Sequence, residues 1–175
     1  ARARDRHRPH QLDGDPHDVY LEFDLALRQV MLHAMCTLTG ETLAPQAPPT
    51  DGADDNAALI DKLADMVARI DADEPLEAAR KDSAARLLEW LGRTDAFGDE
   101  MRRRDLADVS ALLGRAFDRR PEAEAALEAF VRSAGPEHDR RLLQLFGAIE
   151  GRRLQLFGPT RIGRSAQHVH LPPIR

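Results

Sequence analysis

The sequence predicts an all-α protein, a compact bundle of five to six helices with extended basic N- and C-terminal arms. Residues 15–158 form the predicted helical domain, residues 1–14 the N-terminal arm and residues 159–175 the C-terminal arm. The composition favours helices, because aromatic residues make up only 5% of the chain while Ala, Leu, Arg and Glu are abundant. Apolar residues also recur at helical spacing in successive segments. At 175 residues the chain has the size of one domain, which can build a core without a disulfide or a metal.

The first predicted helix begins at Asp15 and Pro16 and ends at Gly40. Asp15 is suited to cap the helix, and a proline in the first turn loses no intrahelical hydrogen bond. Between residues 19 and 27 apolar and polar residues alternate, which is typical of a strand and leaves that alternative open. We favour a helix, because the apolar positions also have helical spacing and continue to Leu38 without a turn residue.

A proline-rich segment separates this helix from the second one. Three prolines and Gly52 lie between residues 43 and 55, which predicts a loop or linker. The second helix begins after Asn56 and carries a clear apolar stripe, which we expect to be buried. The stripe consists of Leu59, Ile60, Leu63, Met66, Val67 and Ile70.

Three further helices are predicted between residues 74 and 135. The third begins at Pro75 and stops at Gly92, the fourth lies around residues 106–117, and the fifth begins at Pro121 and is closed by Gly135. Across all the helices, the side chains that we expect in the core are Leu59, Leu63, Met66, Leu87, Trp90, Leu112, Phe117, Leu127, Phe130, Leu145 and Phe146.

The sixth segment contains the internal repeat Leu-Gln-Leu-Phe-Gly, at residues 143–147 and again at residues 154–158. Because eleven residues are close to three helical turns, both copies would share one face of a single helix. A hairpin with residues 147–151 in its loop is the alternative. On a helix, Gly147 and Gly151 would lie one turn apart and allow a neighbouring backbone to approach closely.

Charge is segregated along the chain. Residues 1–10 have a net charge of +3, residues 140–175 have +6, and residues 11–139 carry the compensating −14. An acidic body with two basic ends indicates interaction with partners more than it indicates a reaction.

Cysteine usage and hydropathy point to a cytoplasmic protein without a membrane segment. Cys36 is the only cysteine, so an internal disulfide is excluded and a reducing compartment is the expectation. No apolar run approaches the ~18 residues of a membrane span, and the arginine-rich start does not resemble a secretory signal.

Motifs for catalysis are missing from the sequence. It contains neither a Gly-x-Ser-x-Gly elbow nor a phosphate-binding glycine pattern, so we expect no cofactor. One alternative is a tetrahedral zinc site, because two pairs of ligand residues have the spacing that places each pair on one side of its segment. These residues are His33, Cys36, His168 and His170.

The hypothesis that accounts for these observations is a non-catalytic helical subunit or adaptor, which docks on a larger protein assembly through its body and its basic C-terminal arm. Its partner is a protein or another copy of the chain, because apolar side chains interleave with the arginines of the arm. The predicted partner-binding residues are Arg152, Arg153, Arg161, Ile162, Arg164, Val169, Leu171, Ile174 and Arg175. The alternatives are a nucleic-acid-binding accessory protein that uses its arginine-rich ends, and a helical enzyme that depends on a metal or cofactor.

Overall fold

The computed structural model describes residues 17–50, 52 and 55–158, with side chains from residue 24 onward. Within these residues the fold is all-α, as predicted, and contains no strand. Both predicted arms, residues 1–14 and 159–175, lie outside the described residues. The elements are α1 (His17–Thr39), α2 (Ala57–Ala68), α3 (Pro75–Leu113), α4 (Arg120–Ser133), a 3-10 turn (Pro136–His138) and α5 (Asp139–Phe157).

Helix α1 confirms the helical prediction for residues 19–27, and the strand alternative is wrong. One side of the helix is buried, with Ala26, Leu32 and Cys36 among its buried residues, and α1 contacts both α3 and α5. Gly40 ends the helix with a φ of +70°, a left-handed conformation that glycine adopts without steric cost. Packing of α1 against α3 and α5 therefore outweighs the strand-like alternation of residues 19–27.

The third and fourth predicted helices are in fact one helix, α3, so the predicted stop at Gly92 is wrong. A glycine inside a helix costs about 1 kcal/mol relative to alanine, which packing can offset. At Gly92 the offset comes from α2, because a Cβ atom there would lie 3.6 Å from Cγ2 of Ile60. At about 1.5 Å per residue α3 is about 58 Å long. All four other helices contact it.

Helix α5 is a single helix that carries both copies of the repeat, so the hairpin alternative is wrong. Its Leu142 and Leu145 join Val109 of α3 and Ala123 and Leu127 of α4 in the main core cluster.

The predicted core is confirmed only in part. Leu127 and Leu145 are buried. Six other predicted side chains are half-buried, namely Leu87, Trp90, Leu112, Phe117, Phe130 and Phe146. Three residues of α2 that we expected in the core, Leu59, Leu63 and Met66, are exposed instead, and that part of the prediction is wrong.

Residues 41–50 form an irregular strap that crosses α5, where the sequence predicted a loop. The backbone N–H of Ala44 donates to Oε1 of Gln144 (3.1 Å), and Nε2 of Gln144 donates to the carbonyl of Thr42 (2.7 Å). A Cβ atom at Gly147 would lie 2.6 Å from Cδ2 of Leu43, and one at Gly151 would similarly meet the strap. The strap is therefore the segment that approaches the two glycines, and the atoms that come close are side-chain atoms of Leu43 and Gln46 where the prediction was a neighbouring backbone.

Candidate functional site

Helix α1 is apolar on the side that faces away from the bundle as well as on its buried side. A helix that is apolar all round is typically covered on both sides. Here the outward side is open, and Leu38 is 72% exposed. We call this surface the α1 outer face, and its exposed residues are Leu27, Val30, Met31, Met35 and Leu38. It is a contiguous apolar surface of the kind that marks a contact with another segment.

A cavity of about 370 Å³ continues the α1 outer face towards α4 and α5. Met35 and Leu38 of α1 line it together with Val131 of α4 and Phe146 of α5. Because exposed residues of α1 and α4 meet at this cavity, the apolar surface is a groove and not only a stripe.

Helix α2 presents a second apolar surface, which we call the α2 stripe. Its residues are Leu59, Leu63 and Met66 of α2 and Ile70, two residues beyond the end of the helix, and three of the four are more than half exposed. Among the described elements α2 contacts only α3, and it contains no buried residue. The periodicity of the sequence showed which residues share one face of α2. It could not show that this face stays open.

The free edge of the α2 stripe carries positive charge. By helical geometry, Lys62 and Arg69 lie beside the stripe, on the edge away from α3. Arg69 makes a loose ion pair with Asp65 (3.7 Å) in which both side chains are largely exposed. Such a pair is worth little in water, so the edge keeps a basic character.

Arg152, a predicted partner-binding residue, lies inside the fold. It is 5% exposed, and its guanidinium donates to Asp105 (2.6 Å), Asp108 (2.6 Å) and Oε1 of Gln46 (3.2 Å). Burial raises the pKa of the Asp105 carboxyl, and the charge and hydrogen bond of Arg152 partly oppose that shift. The structure thus gives Arg152 internal partners, which the sequence did not indicate because both aspartates lie in a different helix.

Arg153 is also ion-paired within the fold. It donates to Glu150 at 2.7 Å, and Nη1 of Arg28 lies 3.6 Å from the same carboxylate. Glu150 is buried at 7% exposure, so these arginines compensate its charge. The other seven predicted partner-binding residues, between positions 161 and 175, lie outside the described residues.

The first pair of predicted zinc ligands lies on α1, three residues apart. His33 is exposed, whereas Cys36 is buried. The second pair, His168 and His170, lies outside the described residues. Within residues 17–50, 52 and 55–158 no three His, Cys, Asp or Glu side chains form a group suited to a metal ion.

We expect the thiol of Cys36 to react slowly. Burial raises its pKa, and the nearby Glu41 carboxylate adds to the shift, so less of the nucleophilic thiolate is present at pH 8. Thiol–disulfide exchange with a disulfide reagent, which forms a mixed disulfide on Cys36 and releases the reagent's thiolate, should be roughly tenfold or more slower in the folded protein than in denaturant. Equal rates in the two states would show that the thiol is accessible and that its assignment to the core is wrong.

A cleft of about 860 Å³ lies between α1, α3 and α5. Trp90 and Phe157 line it, with ring centroids 6.1 Å apart, and Leu25 of α1 lines it as well. One charged group of its lining, Asp95, accepts hydrogen bonds from Asn56. The cleft lies where α5 ends at Phe157, next to Leu25 of α1.

No protein family, curated protein or solved structure matches this chain. In the part of the chain that the structure describes, no helix is both long and apolar enough to cross a membrane. The exposed apolar surfaces and the charges beside them are the features from which a function can be inferred.

Proposed function

We propose that this chain is a non-catalytic helical subunit or adaptor that docks on a protein partner through its body and its basic C-terminal arm. The surface of the body that docks is the α2 stripe. Its occupant is an amphipathic helix of the partner, with acidic residues beside the apolar face.

The openness of the α2 stripe is the observation that carries this proposal. Soluble proteins rarely leave several large apolar side chains exposed in one row. Within α2 the stripe residues Leu59, Leu63 and Met66 follow one another at intervals of four and three positions, which is the spacing of a coiled-coil seam. A second helix can therefore lie along the stripe and insert its own side chains between these residues.

The charges beside the stripe favour an acidic partner. Lys62 and Arg69 border its free edge, and α3 occupies the other edge. The predicted C-terminal arm, residues 159–175, has three arginines and no acidic residue. Stripe and arm thus prefer the same kind of partner surface, and complementary charge adds specificity and speeds association.

The arginines of α3 support a protein partner over nucleic acid. Arg102 is paired with Asp99, and Arg104 with Glu100, one turn away on the same helix. Carboxylates that already hold these guanidinium groups would repel a phosphate backbone. The body therefore offers few free cations for a polyanion.

A designed peptide tests the stripe directly. The probe is a labelled amphipathic helix of about 18 residues, five helical turns, with leucines at the same intervals and flanking glutamates. We expect Leu63→Ser with Met66→Ser to weaken its binding, measured by fluorescence anisotropy, by roughly tenfold or more. The matched control, Ala64→Ser with Ala68→Ser, changes exposed positions of α2 outside the stripe and should leave binding within about twofold.

The charge preference has its own test. Lys62→Glu with Arg69→Glu should reverse the preference, so that a lysine-flanked version of the peptide binds better than the glutamate-flanked one. If both peptides bind every variant equally well, the stripe is not a docking surface for an acidic helix.

The contribution of the arm is tested by deletion of residues 159–175. We expect the truncated chain to lose co-purifying protein or to change its assembled mass, while the helical body keeps its helicity. A protein interface of mixed apolar and ionic character should weaken only modestly with salt, whereas nucleic-acid binding should fall steeply. An unchanged set of partners and an unchanged mass would show that the arm has no part in docking.

A further inference from the structure

We infer that the C-terminal arm, residues 159–175, folds back in cis along the α1 outer face and covers it with its apolar side chains. This intramolecular contact does not depend on the α2 stripe having a partner. It leaves the arginines of the arm free to meet the acidic partner surface that we propose above.

The α1 outer face needs a cover that the described residues do not supply. Met31 is 57% exposed and Leu38 is 72% exposed, although the opposite side of the same helix is buried. The groove beside Leu38, between α1, α4 and α5, extends the apolar surface further. Burying such side chains is favourable by about 25 cal/mol per Å² of apolar area.

The arm begins beside α1, because α1 and α5 are antiparallel. Leu38 at the end of α1 shares a cavity with Leu142 at the start of α5, and Arg28 approaches Glu150 further along. Leu25 and Phe157 then line the same cleft, one residue before Gly158 ends α5. The residues that follow Gly158 therefore start at the level of Leu25.

The arm is long enough to reach the whole face. From Leu25 to Leu38 the helix rises about 20 Å, at 1.5 Å per residue. The 17 residues from 159 to 175 can span up to about 56 Å when extended. The arm can thus run the length of the face with residues to spare.

The chemistry of the arm matches this face. Four apolar residues of the arm are available to cover it: Ile162, Val169, Leu171 and Ile174. Acidic residues lie at both ends of the face, Asp24, which already pairs with Arg28 (2.8 Å), and Asp139 beside the groove. The groove end of the face therefore does not repel the arm, and the arginines of the arm remain available to a partner.

The arm does not fit the α2 stripe equally well. Lys62 and Arg69 border that stripe and would repel the arginines of the arm. A tethered segment also has an effective concentration in the millimolar range, which favours the chain's own α1 over that of a second copy.

Cysteine labelling tests the contact. In a Cys36→Ala background, Leu38→Cys places a thiol on the α1 outer face, and Ala125→Cys places a control thiol on an exposed position of α4. We expect Leu38→Cys to be alkylated roughly tenfold faster after deletion of residues 159–175, because the arm then no longer shields it. The rate for Ala125→Cys should not change.

A full-length variant keeps the test independent of truncation. Replacing Ile162, Val169, Leu171 and Ile174 together by serine should give Leu38→Cys the fast rate of the truncated chain. Equal rates with and without the arm would overturn the inference. Protection that appears only at concentrations where the mass doubles would also overturn it, because the arm would then cover a second copy.

Discussion

Replacing Arg152 by methionine should lower the free energy of unfolding by about 1–3 kcal/mol at pH 7, because the substitution leaves the half-buried carboxylate of Asp105 without its partner. Arg152 is 5% exposed and joins Asp105 and Asp108 of α3 to Gln46 of the strap. Methionine keeps much of the volume but none of the three contacts. Urea unfolding monitored by circular dichroism measures the loss.

The loss in free energy of unfolding that Arg152→Met causes should become smaller as the pH is lowered. Burial raises the folded-state pKa of Asp105 above its unfolded value even with Arg152 present, and removing the cation should raise it further. A carboxyl group whose pKa is higher in the folded than in the unfolded state favours folding when it is protonated. This stabilisation is complete below the pKa of the unfolded state and is lost as the pH rises through the pKa of the folded state. The difference between variant and wild type should therefore shrink between pH 7 and about pH 4, as Asp105 becomes protonated.

Arg132→Met is the matched control for this prediction. Arg132 makes an ion pair with Glu128 on α4, in which the side chains are 77% and 63% exposed. An exposed pair contributes only about 0–1 kcal/mol, so this substitution should be nearly neutral. If Arg132→Met and Arg152→Met cost the same, burial of the Arg152 cluster does not determine its contribution.

Leu145→Ala should destabilise the protein by about 2–5 kcal/mol, because it removes buried methyl groups and leaves a cavity in the main core cluster. Leu145 is 6% exposed and lies in the cluster with Val109, Leu127 and Leu142. The matched change in the α2 stripe, Leu59→Ala, should cost less than about 1 kcal/mol, since Leu59 is 58% exposed. Thermal and urea unfolding of the two variants measure the contrast. A loss at Leu59 as large as that at Leu145 would mean that the stripe is already covered in solution.

Helices could be predicted where a stop signal coincides with the end of an apolar stripe. Gly40 is such a signal, and α1 does end at Thr39. Gly92 carries the same chemical signal but lies inside α3, because Ile60 of α2 packs against it. The difference arises from tertiary packing, which a single sequence does not display.

The candidate site could be predicted only in outline. The sequence shows that Leu59, Leu63 and Met66 share one face, but their exposure depends on which helices pack nearby. The partners of Arg152 lie 47 and 44 positions earlier in the chain, so no local charge pattern could reveal them. Local spacing therefore identifies the faces of helices, and three-dimensional packing decides which of them remain open.

The strap has a consequence for the synthesis of the protein. Ala44 bonds to Gln144, 100 positions later, and Gln46 bonds to Gln155, 109 positions later. At about 5–20 residues per second, a ribosome needs roughly 5–20 s to add that many residues. Until α5 has emerged, the inner side of α1 can pack only against α3, and the strap can bond only to Arg104 and Glu100 of α3. We therefore expect nascent chains that stop before α5 to be held by chaperones that bind apolar helices, with release once Gln144 and Gln155 are available to the strap.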